Sequence, residues 1–385
     1  MAYISKRTLA SGKRAYLVRW VDPDGRETSE QFSGSGAWDA AKAKKSQVEQ
    51  ELRNGSYVDS QAGRIKFRDY AAQWLDNQIS RETTRINYER NLRLHINPAF
   101  GNRSIATIRR SDVLALVKTL NATHAPNSVR AVVELAAAIF NAAVFDRLIA
   151  RTPVERIPLP RVAPSSLVVP TVEQVYAIAN DVPANLHHMM LVAASTGLRL
   201  GELLGVTLES VNFLAREVTV HPERGQLIRV RGAGTVLAPP KSSASARTVP
   251  LGDVALTALA ERLRVRPANP DDGFGGLVFQ NNYRRGGPVT NSYVHEHLAP
   301  AMRRQGFPPR TGMHIFRHFY ASALIAGGES PKVVQARLGH ATITETMDTY
   351  GHLWPDSDTS SRRAIDAAFG LRDVTLTVAT SVPAP

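Results

Sequence analysis

The run TGLRLGELLGV sets Arg199 and Glu202 three positions apart among apolar neighbours, so on a helix their side chains share one face. A carboxylate that holds a guanidinium makes it a rigid two-pronged ligand for an oxyanion, although the same spacing also serves a plain structural ion pair. In MHIFRH, His314 and Arg317 lie one helical turn apart and can approach the same anion. His314 and His318 also have the i, i+4 spacing of helical zinc ligands. That motif needs glutamate directly after the first histidine, and Ile315 stands there, so no metal site is assigned and His318 is expected to pack or cap. Lys241, in PPKSSASARTVPL, falls in or beside a flexible turn between two strand-like stretches, where it could swing to a phosphate or simply be solvated. His340 stands where a helix stops, able to hydrogen-bond a phosphate oxygen. Tyr350, which alone would be a core or surface residue, completes an ordered set of Arg, Lys, His-x-x-Arg, His and Tyr.

These residues need helix ends and turns to hold them. Ser330-Pro331 is a strong helix start, with a capping serine before a proline whose missing N–H costs nothing there; Val333, Val334 and Leu338 form the buried stripe and Gly339 stops the helix. Thr342 to Glu345 has capping-box spacing and opens a short helix with Tyr350 two turns in. Thr171 and Gln174 have the same spacing at the head of this whole region. Before it, Pro153, Pro158, Pro160, Pro164 and Pro170 exclude a helix and mark an extended boundary. From Arg64 to about Ile157 the pattern is helical: Phe67, Tyr70, Ala71 and Trp74 recur at helical spacing, as do Val113, Leu116, Val117 and Leu120, and Ala131 to Ile149 reads as a third long helix. At the start, AYLVRW and ETSEQF read as a hairpin closed by Asp22-Pro23-Asp24-Gly25, followed by a basic helix from Trp38 to Leu52.

The 385 residues suffice for two or three domains, and 43% hydrophobic content supports real cores. Lys and Arg number 47 against 34 Asp and Glu, a net charge of +13 that favours a polyanionic partner. Zero cysteines exclude disulfides, thiolate zinc sites and a cysteine nucleophile. The opening MAYISKRTLASGKR lacks a signal peptide's apolar core, and Glu134 and Asn141 interrupt the most apolar stretch, so neither export nor a membrane is expected.

The ordered set resembles the tyrosine recombinase, or phage-type integrase, family. The resemblance spans about Thr171 to Leu371, and more loosely the helical region before it. It rests on Gly197-Leu198-Arg199-Leu200-Gly201-Glu202, Lys241, Arg247-Thr248-Val249-Pro250-Leu251, His314 to His318, Leu338-Gly339-His340 and Thr349-Tyr350-Gly351-His352. Ile315-Phe316 departs from the family's frequent Asp-Leu, and the connection from Val220 to Lys241 is long.

The resemblance implies an α+β, multi-domain protein. Residues 1–62 would be an arm-type DNA-binding domain, a three-stranded sheet with a helix, and 63–160 an all-α core-binding domain. After a proline-rich linker at 161–170, residues 171–371 would form a mainly helical catalytic domain with a small antiparallel sheet, and 372–385 a tail. The helical and catalytic domains would clamp a duplex. Catalytic residues carried over are Arg199, Lys241, His314, Arg317, His340 and Tyr350, with Glu202 in support. Tyr350 would attack phosphorus and take the 3′-phosphate, Arg199 and Arg317 would clamp the oxygens, and Lys241 would protonate the departing 5′-oxygen. His314 would assist proton removal from Tyr350, and His340 would add a hydrogen bond. No cofactor or metal is called for. Lys42, Lys44, Lys45, Arg81, Arg85, Arg90 and Arg93 are DNA-contact candidates, or else solvated helix faces.

The implied role is integration and excision of a phage or other mobile element by a homo-tetramer on double-stranded DNA, at core and arm sites. It would act in the bacterial cytoplasm, at the nucleoid, with a host DNA-bending protein and a directionality factor as further partners. Competing readings are a chromosome or plasmid resolvase of the same family, a type IB topoisomerase-like enzyme, and a regulator that kept the fold without the chemistry. In the tail, Val374, Leu376 and Val378 alternate with Thr375 and Thr377, as a strand added to a neighbouring protomer or a frayed terminus would.

Overall fold

The computed structural model describes residues 2–9, 14–23, 25–55, 57, 62–162, 167–230, 232, 234–266, 273–274, 276–281, 287–354 and 358–369. The chain divides into two compact units, residues 1–164 and 165–385.

The first unit contains two hydrophobic cores. Strands β1 (Tyr3–Thr8), β2 (Arg14–Val21) and β3 (Glu27–Ser33) form an antiparallel meander, with Tyr3 opposite Arg19 and Trp20 opposite Thr28. Helix α1 (Ala37–Arg53) covers it, burying Ala41 and Val48 against Val18, Trp20 and Tyr57. The Trp20 indole donates to the Tyr57 hydroxyl at 2.8 Å, which satisfies the one polar atom that the ring carries inward.

The second core belongs to α2 (Phe67–Asp76), α3 (Glu82–Asn91), α4 (Asn97–Phe100), α5 (Arg110–Asn121) and α6 (Pro126–Phe145). Phe67 lies at its centre, with ring centroids 5.8 Å from Phe100 and 5.1 Å from Phe140. Helix α6 starts five residues before the expected Ala131 and ends four before Ile149. Pro126 suits a first helical position, and beyond Phe145 the chain turns away at Arg147, whose φ of 57° is left-handed. Its length and apolar composition would also let it cross a membrane, but Val129, Val132, Leu135, Ala136, Ile139 and Phe140 are buried in this core. Residues 157–162 have no regular structure, as the prolines demand.

The second unit begins with α7 (Val172–Asp181). Its capping box is formed both ways: the Gln174 N–H donates to Thr171 Oγ1 at 3.2 Å and the Thr171 N–H to Gln174 Oε1 at 3.0 Å. Helices α8 (Ala184–Thr196) and α9 (Leu200–Leu204) follow, then an antiparallel sheet. Strands β4 (Val211–Asn212), β5 (Glu217–Val220) and β8 (Arg247–Pro250) pair in the order β4-β5-β8, while β6 (Gln226–Val230) and β7 (Gly234–Ala238) form a separate hairpin inserted between β5 and β8. That insertion accounts for the long connection from Val220 to Lys241. Beyond it come α10 (Asp253–Val265), α11 (Asn291–Arg304), α12 (His314–Ala326), α13 (Pro331–Leu338), α14 (Ile343–Tyr350) and α15 (Asp358–Ala368). Helix α8 is central, packed by α7, α10 and α12, and its Met189 and Met190 are fully buried. The expected tail strand around Val374 to Val378 lies outside the described residues.

Candidate active site

The site is assembled at helix ends. Helix α8 stops at Gly197, whose φ of 63° and contact with Tyr320, 2.5 Å from where a Cβ would stand, leave room for glycine alone. The sharp turn makes Arg199 the N-cap of α9. The expected pairing across one helix face is therefore replaced by a cap. Glu202 Oε2 accepts from the Arg199 N–H at 3.0 Å, and Oε1 accepts from the Arg199 guanidinium at 2.9 Å. Glu202 is only 3% exposed and also accepts from Arg247 at 2.9 Å. Burial alone would raise the Glu202 carboxyl; the guanidinium groups of Arg247 and Arg199 outweigh it and hold the carboxyl below its usual range. One carboxylate thus fixes two arginines.

Arg247 carried the resemblance without an assigned role, and the structure brings it into the site as a partner of Glu202. It was visible in ARTVPL, but its partner lies 45 residues away. At the start of β8 it also donates to the Arg337 carbonyl at 2.7 Å and the Ser245 carbonyl at 2.8 Å. Arg199 adds bonds to Ser245 Oγ at 3.2 Å and the Gly339 carbonyl at 3.3 Å.

Arg317, on α12, is 1% exposed. One terminal nitrogen donates to the Gly197 carbonyl at 2.8 Å and the other to the Leu338 carbonyl at 2.7 Å. These oxygens lie at the C-terminal ends of α8 and α13, where helices leave carbonyls unpaired and carry partial negative charge. One guanidinium therefore binds two helix ends, and its Nε–H stays buried with no partner among the described residues. Burial, with Arg199 and Arg247 nearby, pulls its pKa down to about 9.

Helix α13 is capped by Ser330 and stops at Gly339, φ 68°, where a Cβ would stand 2.9 Å from the Ala244 carbonyl. The stop delivers His340 inward. Its Nδ1 lies 2.8 Å from Thr346 Oγ1 and its Nε2 lies 3.5 Å from Glu345. Burial and the guanidinium groups of Arg317 and Arg199 pull His340 down to about 3, so the ring is neutral at physiological pH.

Tyr350 is the last residue of α14 and 1% exposed. Its ring stacks on His340, with centroids 6.5 Å apart and planes at 10°. Burial pushes the phenol up to about 12 against the opposing pull of Arg317. The hydroxyl sits 2.8 Å from Nδ1 of His318. The resemblance implied that His314 would assist proton removal from Tyr350, with His318 expected to pack or cap; here it is His318 that meets the phenol. His314 opens α12, exposed at one edge, with its ring edge-to-face on His318 at 4.7 Å. Desolvation and then Arg317 lower its pKa.

Lys241 is exposed in the bend after Pro239-Pro240, beyond the β6–β7 hairpin rather than at its tip. Gln226 anchors that bend by donating to the Pro239 carbonyl at 2.6 Å, and Ser245, a partner of Arg199, stands four residues further on. The structure therefore gathers Arg199, Glu202, His314, Arg317, His340 and Tyr350 with Arg247 and His318, and leaves Lys241 at the rim.

The DNA-contact candidates are partly engaged within the protein. Lys42 lies over the Trp38 ring at 5.2 Å, Lys44 pairs with Glu30 at 2.9 Å, and Lys45 pairs with Glu49 at 3.8 Å. Arg85 donates to Asp76 at 2.8 Å, and Arg81, Arg90 and Arg93 lie at the surface.

Two anchored guanidinium groups and neutral imidazoles around a phenol suit a phosphodiester: the cations meet the non-bridging oxygens and the phenol supplies a nucleophile. Comparison with known proteins agrees with that chemistry. Residues 167–356 match the phage integrase family, and residues 67–158 match the phage integrase central domain. A XerC-like tyrosine recombinase of Caldanaerobacter subterraneus subsp. tengcongensis is 26% identical over 401 residues, covering 95% of this chain and 100% of that protein. The ICEBs1 integrase of Bacillus subtilis is 25% identical, covering 71% of this chain and 74% of its own. Among solved structures, the Tn1549 transposon integrase in complex with a circular intermediate DNA superposes with a TM-score of 0.66 at 20% identity, over 79% of this chain and 99% of that one. A lambda integrase tetramer bound to a Holliday junction gives 0.55 at 16% identity, over 88% and 96%. At these identities the structural likeness speaks for the fold.

Proposed function

Given that the chain belongs to the tyrosine recombinase family, a site-specific recombinase that breaks and rejoins DNA strands, we propose that it integrates and excises a phage or other mobile element. The observation that carries the site assignment is the pair Arg199 and Arg317, each fixed by protein groups beside Tyr350, with the Arg317 Nε–H still unpaired. A scissile phosphate seated there would have its non-bridging oxygens held by both guanidinium groups. Tyr350 attacks phosphorus, the bond to the 5′-oxygen breaks, and the 3′-phosphate remains on the tyrosine. Lys241 swings from the rim to give the departing oxygen its proton, while His314 and His340 donate hydrogen bonds as neutral rings. The phosphotyrosine conserves the diester's energy, so attack by a different 5′-hydroxyl exchanges strands without ATP. Charge neutralisation by arginine makes a metal unnecessary for the chemical step.

The sheet-and-helix element at the start of the chain supports integration, because a second DNA-reading module would hold arm sites while the site above works at the core. Exchange between two duplexes calls for four copies, as in the lambda integrase tetramer. The second reading is a chromosome or plasmid resolvase of the same family, with which alignment along the whole XerC-like tyrosine recombinase is compatible. The test is strand exchange between paired sites taken from the element's flanking DNA, in EDTA. Full-length protein should exchange strands there, and protein lacking residues 1–62 should still cleave the core site but lose efficient integration. A strict metal requirement, or loss of core binding in the shortened protein, would refute the respective part.

A further inference from the structure

The phenol of Tyr350 meets His318, not the His314 to which the resemblance assigned its proton. Among the described residues its hydrogen-bond partner is His318 Nδ1, at 2.8 Å. We infer, on the reading proposed above, that His318 is a catalytic residue that takes the Tyr350 proton as the phenolic oxygen bonds to phosphorus.

The ring is held for this task on two sides. It lies edge-to-face against His314 at 4.7 Å and 88°, and against Tyr350 at 5.7 Å and 63°. For Nδ1 to accept from the phenol, the ring proton must sit on Nε2. Next to the ring lies a cavity of about 600 Å³ lined by Arg310, Ile315, His318, Asp348 and His352, through which a proton could reach solvent. The charged or titratable groups facing His318 are therefore His314 and Arg317 on its own helix, Arg310 before it, Tyr350 and Asp348 on α14, and His352 just beyond.

In the free protein, transfer is uphill: burial, then His314 and Arg317, pull His318 down to about 4, while burial pushes Tyr350 up to about 12. The tyrosine rests protonated and unreactive. A bound phosphodiester changes both sides, because its negative charge makes His318 more basic and bond formation to phosphorus makes the phenol more acidic. The step balances: the O–H bond of Tyr350 breaks as the O–P bond forms, the proton goes to His318 Nδ1, and the released 5′-oxygen takes one from Lys241.

The experiment measures single-turnover covalent adduct formation on a nicked duplex carrying the core half-site from the element's flanking DNA, between pH 5.5 and 9. His318→Ala should be about 10²- to 10⁴-fold slower near neutrality, the usual worth of a general base. Its rate should climb with pH where wild type is flat, and added imidazole should restore part of it; His314→Ala should keep the flat profile. A His318→Ala rate near wild type, or one depressed equally at every pH and deaf to imidazole, would overturn the inference. Histidine ¹⁵N NMR of the free wild-type protein gives a readout independent of variant folding. His318 Nδ1 should resonate as an unprotonated, hydrogen-bonded nitrogen that shifts in Tyr350→Phe, and a protonated Nδ1 would contradict the proposal. If Tyr350→Phe still forms adducts, the site reading itself fails; if it is dead while His318→Ala is fast, only this inference fails.

Discussion

Tyr350→Phe should form no covalent adduct with DNA in denaturing gels, while binding the same duplex within a few-fold of wild type. The substitution removes a single oxygen. Its ring can still stack on His340, and the bond lost to His318 is worth about 1 kcal/mol, so the fold should survive. Residual catalysis is not expected from the remaining guanidinium and imidazole groups, because they can polarise a phosphodiester but do not replace the phenol as nucleophile. Binding should persist because the arginines proposed to meet the phosphate stay anchored through Glu202, Gly197 and Leu338. Strand exchange must be lost with the adduct, since each exchanged strand passes through it.

Arg317→Ala should have the next largest effect, and on two observables at once. Cleavage should fall by about 10²-fold or more, as when an oxyanion donor is removed. Stability should fall by about 2–4 kcal/mol in urea unfolding, because two helix-end carbonyls lose a charged donor inside the protein. Arg317→Lys separates the two effects. An ammonium keeps the positive charge but cannot reach both carbonyls and the phosphate in one plane, so it should recover part of the stability while cleavage stays crippled. Equal recovery of both would mean that only charge matters at this position.

Much of this arrangement was legible because it depends on local rules. Gly339 ends a helix at positive φ, Ser330 and Thr342 cap, and Thr171 pairs with Gln174, all within a few residues of sequence. These signals set where His340 and Tyr350 emerge, whereas the stop at Gly197 that makes Arg199 an N-cap was hidden in a run that reads as one helix. What the sequence could not show were relations across long separations. Glu202 joins Arg247 over 45 residues, and Arg317 joins Gly197 over 120, and nothing local marks either pairing. The exchange of His314 for His318 beside Tyr350 has the same origin: the two rings differ by about one helical turn, and only the packing of α14 on α12 decides which of them meets the phenol. The inward setting of Tyr350, 1% exposed, was likewise invisible to periodicity, because the last residue of a short helix has no later turn to reveal its face. The β6–β7 hairpin was hidden by its glycines, which read as an irregular connection although Gln226 pairs with Ala238 and Val230 with Gly234.

The proposed reaction rests on a covalent bond between one residue and one end of a broken strand. Wild-type protein trapped on a nicked core-site duplex in EDTA, then digested with protease and nuclease, should give one peptide carrying the nucleotide adduct. Mass spectrometry should place it on the oxygen of Tyr350, linked to a 3′-phosphate. An adduct on any other residue, a linkage to a 5′-phosphate, or cleaved DNA with no peptide attached would contradict the account.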